Sequence, residues 1–139
     1  MPEAGETIRH PLFARIYARL GTKAEDNGQA AHREELLAGL SGRVIEVGAG
    51  HGLNFKHYPE TVTELVAVEP EAYLRDLAIE AAEEAPVPVK VVDGVADAIP
   101  ATDEEFDAAV ACLMLCSVPD QARALAEFRR VLRLSLIHI

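Results

Sequence analysis

The chain has 139 residues, of which 50% are hydrophobic, and a formal net charge of −10. This length and composition suit one domain with a sizeable core, and the acidic balance argues against a nucleic-acid partner, because binding to a phosphate backbone depends largely on Lys and Arg. With only two cysteines, an acidic amino terminus and no apolar run of about 20 residues, the sequence favours a cytoplasmic protein without an export signal or a membrane span.

Two helical patterns precede the first strand. Residues 8–20 place apolar side chains at helical spacing, with arginines on another face. We interpret residues 1–42 as an amino-terminal helical cap that covers one side of a sheet; the alternative is that His10 and Tyr17 reach over a ligand pocket as a substrate lid. The apolar set of the first helix is Leu12, Phe13, Ile16, Tyr17 and Leu20.

A buried strand and a glycine-rich turn follow at residues 44–52, Val-Ile-Glu-Val-Gly-Ala-Gly-His-Gly. The β-branched residues favour the strand, and the glycines let backbone approach a ligand without a Cβ in the way. Such a turn at the carboxyl end of a parallel strand is where open α/β sheets bind nucleotide-like ligands. Residues 53–57 suit a short helix with its amino terminus toward the ligand, ended by Tyr58-Pro59.

Three glycine-rich motifs compete for this turn, and their spacing separates them. The dinucleotide fingerprint needs a glycine where Leu53 stands, which disfavours an NAD-dependent oxidoreductase. A Walker loop needs a Gly-Lys-Ser/Thr triplet, which the sequence does not contain. The pattern that fits is an acid followed by three alternating glycines: Glu46, Gly48, Gly50 and Gly52.

Residues 63–69 are predicted as a second strand that ends in an acid. Glu69 follows Gly52 by 17 residues, near the ~20-residue offset at which nucleotide-binding α/β units place a carboxylate for ribose hydroxyls. The alternative interpretation of Glu69 is an acid in the first turn of a helix opened by Pro70.

The next pattern alternates helix and strand. Residues 70–85 are predicted as a helix and residues 87–92 as a short third strand. Residues 95–105 are predicted as a loop or a single helical turn. Residues 106–116 are almost continuously apolar and are predicted as a fourth strand buried on both faces, as parallel strands are.

The last helix is predicted to begin at a capping box, with Ser117 as the cap and Asp120 three residues on. The resulting βαβ series predicts an α/β fold with a parallel sheet. Right-handed crossovers would place the first strand centrally and the pocket at the carboxyl ends of the first, second and fourth strands. The apolar residues assigned to the last helix are Ala122, Leu125, Ala126, Val131 and Leu132.

With these motifs in this order, residues 40–132 resemble the class I methyltransferases that use S-adenosylmethionine (SAM), and within them the branch typified by ubiquinone and menaquinone biosynthesis enzymes. The run Asn-Phe-Lys-His-Tyr-Pro at 54–59 resembles the thiol- and alkyl-methylating relatives of that branch. The resemblance implies a Rossmann-like sheet of about four strands flanked by helices, with a SAM-binding methyltransferase domain at residues 43–133.

The resemblance also implies which residues of the glycine-rich turn hold the cofactor. Glu46 would orient the methionine ammonium group, directly or through water. The main chain at Gly48, Ala49 and Gly50 would pass close beneath the cofactor.

Two further segments complete the implied site. Glu69, followed by Pro70, would hold the ribose hydroxyls, and the main chain at Cys112 would meet the methionine end. The adenine would be lined by Val95, Ala96 and Asp97.

The sequence departs from the family pattern at two places in this site. Relatives often carry an acid where this chain has Val95, so adenine recognition would rest on backbone amides or on Asp97. Cys112 and Cys116 stand where relatives often have Asn and His, and we interpret both as small buried hydrophobes. No metal site is predicted.

The end of the chain departs further from the family pattern. Relatives continue with a Pro-Gly-Gly turn and three more strands, whereas this sequence ends in Leu-Ser-Leu-Ile-His-Ile at residues 134–139. We interpret these residues as an aberrant tail such as a frameshift leaves. We therefore expect the later strands to be missing, the fourth strand to become an exposed sheet edge, and the chain to be unstable alone.

The predicted function is methyl transfer from SAM to a small-molecule acceptor by in-line displacement. Because positioning can do most of the work in such a transfer, no catalytic residue is identified; His10 or His57 would assist as a base if the acceptor were a thiol or an acidic carbon. The alternative is a truncated or inactive SAM-binding fragment that associates through the exposed fourth strand. The sequence predicts neither the acceptor nor the oligomeric state.

Overall fold

The computed structural model describes residues 30–111, 118–133 and 137–138, together with Leu12, Arg15, Ile16, Ala18 and Arg19, which have helical backbone. The helices with bounds inside these ranges are α1 (Ala30–Leu37), α2 (Ala72–Glu83) and α3 (Gln121–Val131). A 3-10 turn, Phe55–His57, follows the first strand. The described strands are β1 (Gly42–Val47), β2 (Val62–Val68), β3 (Val89–Val92), β4 (Ala108–Val110) and β5 (Ile137–His138).

These strands form one parallel sheet in the order β3-β2-β1-β4-β5. The strand β1 lies centrally, with Ile45 paired with Val66 of β2 on one side and with Ala109 of β4 on the other. All three strands carry continuous runs of buried residues, because helices cover both faces of a parallel sheet. The predicted α/β, Rossmann-like fold with a central first strand is therefore confirmed.

Alternate residues of β1 point into two separate apolar clusters, one on each face of the sheet. Val44 packs on one face with Leu37, at the end of α1, and with Phe55. Ile45 and Val47 pack on the other face, in a cluster that contains Phe106 and two residues of α3, Phe128 and Val131. The side chain of Glu46 shares the face of Val44, which α1 and the 3-10 turn cover.

The last helix begins later than predicted. Its cap is Asp120, which has extended backbone and accepts a hydrogen bond from Arg123 N at 3.0 Å. The capping box at Ser117 is wrong because Pro119 disfavours helical conformation in the residue before it, so α3 starts after the proline. The inward face was predicted in part: Val131 and Leu132 are buried as predicted, whereas Leu125 is 38% exposed. The other buried residues of α3 are Ala124 and Phe128.

The described residues of the first helix do not present the predicted face. Leu12 and Ile16 are 73% and 50% exposed, although both were assigned to the buried apolar set. Arg15 instead lies over the Tyr73 ring of α2, at 5.7 Å from its centroid, a cation–π contact that an amphipathic pattern does not encode. Phe13, Tyr17, Leu20 and the lid candidate His10 lie outside the described residues.

The carboxyl-terminal tail contributes a strand. In β5, Ile137 pairs with Ala109 and His138 with Val110. The expectation that this part of the fourth strand is an exposed edge is therefore wrong, because strand pairing needs only backbone donors and acceptors, which any sequence supplies. Residues 112–116, the rest of the predicted fourth strand, lie outside the described residues.

A search of the described residues finds no helix with the length and apolar character needed to cross a membrane.

Candidate functional site

The glycine-rich turn leaves the carboxyl end of β1 in a conformation that favours glycine. Gly48, Gly50 and Gly52 all have positive φ, at 75°, 61° and 86°, where other residues are strained. The amides of Gly48 and Ala49 both donate to Val68 O, at 2.8 and 3.1 Å. The turn is thereby fixed against the end of β2, and its glycines leave backbone open to a ligand at this edge of the sheet.

The third glycine of the motif has a packing role. A Cβ on Gly52 would lie 2.8 Å from the Phe55 ring and 2.9 Å from the Ala81 side chain of α2. Gly52 therefore lets the turn pack closely against α2, one residue before Leu53, where the sequence departs from the dinucleotide fingerprint.

Glu69 follows β2 directly and contacts the glycine-rich turn. Its Oε1 accepts a hydrogen bond from Gly50 N at 2.8 Å, and its Oε2 accepts one from Glu71 N at 2.9 Å. Burial raises the pKa of Glu69, while these two backbone donors lower it. The alternative that Glu69 sits in the first turn of a helix is wrong, because α2 begins at Ala72 and Glu71 caps it by accepting from Leu74 N.

Glu46 is a buried acid near the carboxyl end of β1. Its Oε1 accepts hydrogen bonds from Tyr58 OH at 2.6 Å and from Asn54 Nδ2 at 3.0 Å. Burial raises the pKa of Glu46 above its ordinary value, and the two donors and nearby Arg33 oppose that rise. A carboxylate held this way is costly to bury, which marks it as a group with a use beyond packing.

Arg33, Asn54 and Tyr58 are site residues that the sequence analysis did not assign. Arg33 donates from Nη1 to Asn54 Oδ1 at 2.7 Å, which links α1 to the turn after β1. Asn54 and Tyr58 flank the 3-10 turn after β1, Tyr58 with extended backbone, and both side chains reach Glu46 from there. No pattern in the sequence pointed from Arg33 to Asn54.

The third predicted segment lies beyond β3. Val68 pairs with Val92 and Glu69 N donates to Val92 O, so the loop that follows β3 starts beside Glu69. Within this loop Val95 and Ala98 form a bridge, and Ala96 is buried. A Cβ on Gly94 would meet Pro100 and Val68, so the loop packs against the end of β2.

The structure thus brings together three of the predicted segments at one edge of the sheet: the glycine-rich turn, Glu69 with Pro70, and residues 95–97. The fourth, Cys112, lies outside the described residues, as does Cys116; Ala111, which precedes Cys112, is buried at the end of β4. The candidate base His57 lies against α1, with Nδ1 at 3.6 Å from Glu34 Oε1.

This arrangement fits a ligand such as SAM, which carries both hydroxyl and cationic groups. Each carboxylate oxygen has two acceptor sites, so Glu69 keeps acceptor capacity for ribose hydroxyls beside its two backbone donors. Glu46, in β1 just before the glycine-rich turn, supplies a second carboxylate near this edge of the sheet. The positive-φ glycines provide the close backbone approach that a nucleoside needs.

Comparison with known proteins agrees with this geometry. Residues 45–135, more than half of the chain, match a family model described as a methyltransferase domain. No curated protein matches the sequence.

Solved structures share the fold. The YcgJ protein from Bacillus subtilis superposes with a TM-score of 0.66 and 25% identity over 73% of this chain and 46% of its own. A SAM-dependent methyltransferase from Thermotoga maritima, described as a possible histamine N-methyltransferase, gives a TM-score of 0.64 and 27% identity over 85% of this chain and 56% of its own. At 17% identity, the Haloferax volcanii complex of the Trm112 activator with a methyltransferase shows the fold alone, with a TM-score of 0.70 over 86% and 55% of the two chains.

The chain spans about half the length of these structures. The family match, the strand order and the two buried carboxylates at the carboxyl edge agree with one another. The chain belongs to the class I SAM-dependent methyltransferases, and this membership implies SAM as its cofactor.

Proposed function

We propose that this chain binds SAM across the carboxyl ends of β1, β2 and β3 and transfers its methyl group to a small-molecule acceptor. The observation that carries the proposal is the contact between Glu69 and Gly50, which joins the acid after β2 to the glycine-rich turn at 2.8 Å. Nucleotide-binding α/β folds use this pairing of a turn with a carboxylate on the next strand to hold a ribose.

In the proposed complex, Glu69 and Pro70 contact the ribose, and the backbone at Gly48, Ala49 and Gly50 lies beneath the cofactor. Glu46 attracts the methionine ammonium group. Residues 95–97 line the adenine, and the main chain at Cys112 meets the methionine end.

The proposed methyl transfer requires little direct chemistry from protein side chains. Bound SAM supplies an activated methyl group on a positively charged sulfur. The chain's own residues hold that group in line with the acceptor atom and exclude water, and such positioning can provide much of the rate acceleration. A side-chain base is needed only for an acceptor that must lose a proton, and none is assigned.

Two observations support a small acceptor. The net charge of −10 disfavours a polyanionic nucleic acid. The Thermotoga maritima structure, at 27% identity, is described as a possible histamine N-methyltransferase, and histamine is a small amine.

A transfer assay tests the proposal. The chain is incubated with methyl-labelled SAM and with separate pools of small amines, small thiols and bulk RNA, beside a Glu69→Ala variant. We expect label in a small-molecule pool with the wild type and a loss of at least about tenfold in the variant, since hydrogen bonds to a charged group are lost. Label in RNA alone would contradict the small acceptor, and no label in any pool would contradict the activity.

A further inference from the structure

The side chain of Glu46 is held at one of its two carboxylate oxygens. Both hydrogen bonds, from Tyr58 OH and from Asn54 Nδ2, fall on Oε1. Oε2 accepts no hydrogen bond from the described residues. The two donors therefore fix the carboxylate group while they leave one oxygen for a ligand.

The orientation of the Asn54 amide is set by Arg33. Asn54 has one carbonyl oxygen and one NH₂ group on its side chain, and Arg33 Nη1 donates to that oxygen at 2.7 Å. The NH₂ group must then face the other way, toward Glu46. Asn54 is 3% exposed, so this relay from α1 to β1 is shielded from solvent.

The donors also oppose the effect of burial on the charge of Glu46. Glu46 is 1% exposed, and burial disfavours a charged carboxylate. The charged and titratable groups that face it from neighbouring elements in the described part of the chain are Tyr58 and Arg33, which favour the ionised form, and Glu69, which disfavours it. Loss of a donor would shift Glu46 toward its neutral form, which cannot attract a cation.

We propose that Tyr58 and Asn54, with Arg33 behind Asn54, are positioning residues that keep Glu46 oriented and ionised for the cationic amino group of SAM. This inference rests on the function proposed above. It assigns roles in the cofactor site to three residues outside the glycine-rich turn, one on α1 and two on the segment after β1.

The first test compares Tyr58→Phe with Tyr73→Phe, the same substitution at a tyrosine on α2 outside this network. SAM affinity is measured by isothermal titration at about pH 6 and about pH 8. We expect Tyr58→Phe to bind SAM roughly tenfold more weakly at the higher pH, since a hydrogen bond to a charged group is lost, and more weakly still at the lower pH. Tyr73→Phe should bind like the wild type at both.

A second measurement separates positioning from SAM binding. In ligand-free protein labelled at the glutamate carboxyl carbons, NMR titration should show a higher pKa for Glu46 in Tyr58→Phe than in the wild type. Arg33→Met should raise it as well, because the variant removes a nearby positive charge and lets the Asn54 amide turn its oxygen toward the carboxylate. A Glu46 pKa and a pH profile of binding that are both unchanged in Tyr58→Phe would overturn the inference.

The two proposals fail in different ways. A folded wild-type chain with no affinity for SAM contradicts the proposed function, and the ligand part of this inference with it. Wild-type binding of SAM, with no change in Glu46 on removal of the Tyr58 hydroxyl, contradicts the inference alone.

Discussion

Gly52 combines two constraints in one residue. Its φ of 86° favours glycine, and an added Cβ would meet the Phe55 ring and Ala81 at 2.8 and 2.9 Å. We expect Gly52→Ala to lower the free energy of unfolding by about 2–4 kcal/mol, as the sum of backbone strain and overpacking. Urea unfolding of the variant and the wild type measures this change in the free energy of unfolding.

Gly39 is the matched control for that substitution. A Cβ at Gly39 would meet nothing within 4 Å, so Gly39→Ala should change the free energy of unfolding by less than about 0.5 kcal/mol. Equal effects of the two substitutions would show that the close packing of the turn on α2 is incorrect.

The two buried glutamates predict how stability depends on pH. Burial raises the pKa of both Glu46 and Glu69 above 4.5, so between the unfolded and folded pKa values the native state binds more protons than the unfolded state. The free energy of unfolding of the ligand-free chain should therefore fall as pH rises through that window. Above the folded pKa both carboxyls are ionised, and this loss of stability is fully present. Thermal melts across this range measure the slope.

Substitution of Glu46 measures how much this one residue contributes to the pH dependence of stability. At neutral pH, Glu46→Gln should raise the melting temperature by about 3 °C or more, the shift expected for ~1 kcal/mol in a chain of this size, and should flatten the pH dependence. Glu105→Gln is the control of opposite sign, because a hydrogen bond from Thr102 N lowers the pKa of Glu105 and its charge stabilises the fold. A Glu46→Gln variant that melts below the wild type at neutral pH would contradict the assignment.

At the scale of elements, the sequence predicted the central strands well and the helix starts less well. β1 and β2 were predicted to within two residues, because buried β-branched runs bounded by glycine or proline have few alternatives. The start of α3 was missed because Ser117 and Asp120 both have capping side chains, although Pro119 disfavours helical backbone in the residue before it. In the first helix Leu12 and Ile16 are exposed and Arg15 lies over the Tyr73 ring, a contact that the apolar pattern does not encode.

The cap of α3 can be tested directly. Asp120→Ala should lower the free energy of unfolding by about 1 kcal/mol, since the variant leaves Arg123 N without its acceptor. Ser117→Ala should have the smaller effect. Both effects are measured by urea unfolding. A larger loss of stability in Ser117→Ala than in Asp120→Ala would support Ser117 as the cap instead.

At the scale of the whole molecule, strand order assembles the site. Glu69 and Gly50 lie 19 residues apart and meet because β1 and β2 are adjacent and parallel, which the offset between glycine and acid already predicted. The Arg33–Asn54–Glu46 relay depends on how α1 packs against the turn, and no local pattern encodes such a contact. The pairing of β5 was missed because the tail does not resemble the family sequence.

The pairing of β5 predicts how the chain behaves without its tail. Removal of residues 134–139 would expose the backbone of Ala109 and Val110, which β5 pairs, and open sheet edges favour association between chains. We expect size-exclusion chromatography at micromolar concentration to show more oligomer after the deletion than before. A variant with a Gly/Ser tail of equal length should behave like the full chain, because pairing uses backbone; identical profiles for deletion and full chain would contradict the role of β5.

The central claim is that the contact between the glycine-rich turn and Glu69 forms a SAM site. Isothermal titration of SAM into the wild type, Glu69→Ala and Glu64→Ala tests it, with Glu64 as a partly exposed acid on the same strand. We predict that the wild type binds SAM with a dissociation constant between about 1 μM and 1 mM and that Glu64→Ala leaves this value unchanged. Glu69→Ala should bind SAM at least about tenfold more weakly, because charge-assisted hydrogen bonds are lost. The circular dichroism spectrum of Glu69→Ala should match that of the wild type. A folded wild-type chain that does not bind SAM, or a Glu69→Ala variant that binds it equally well, would contradict the claim.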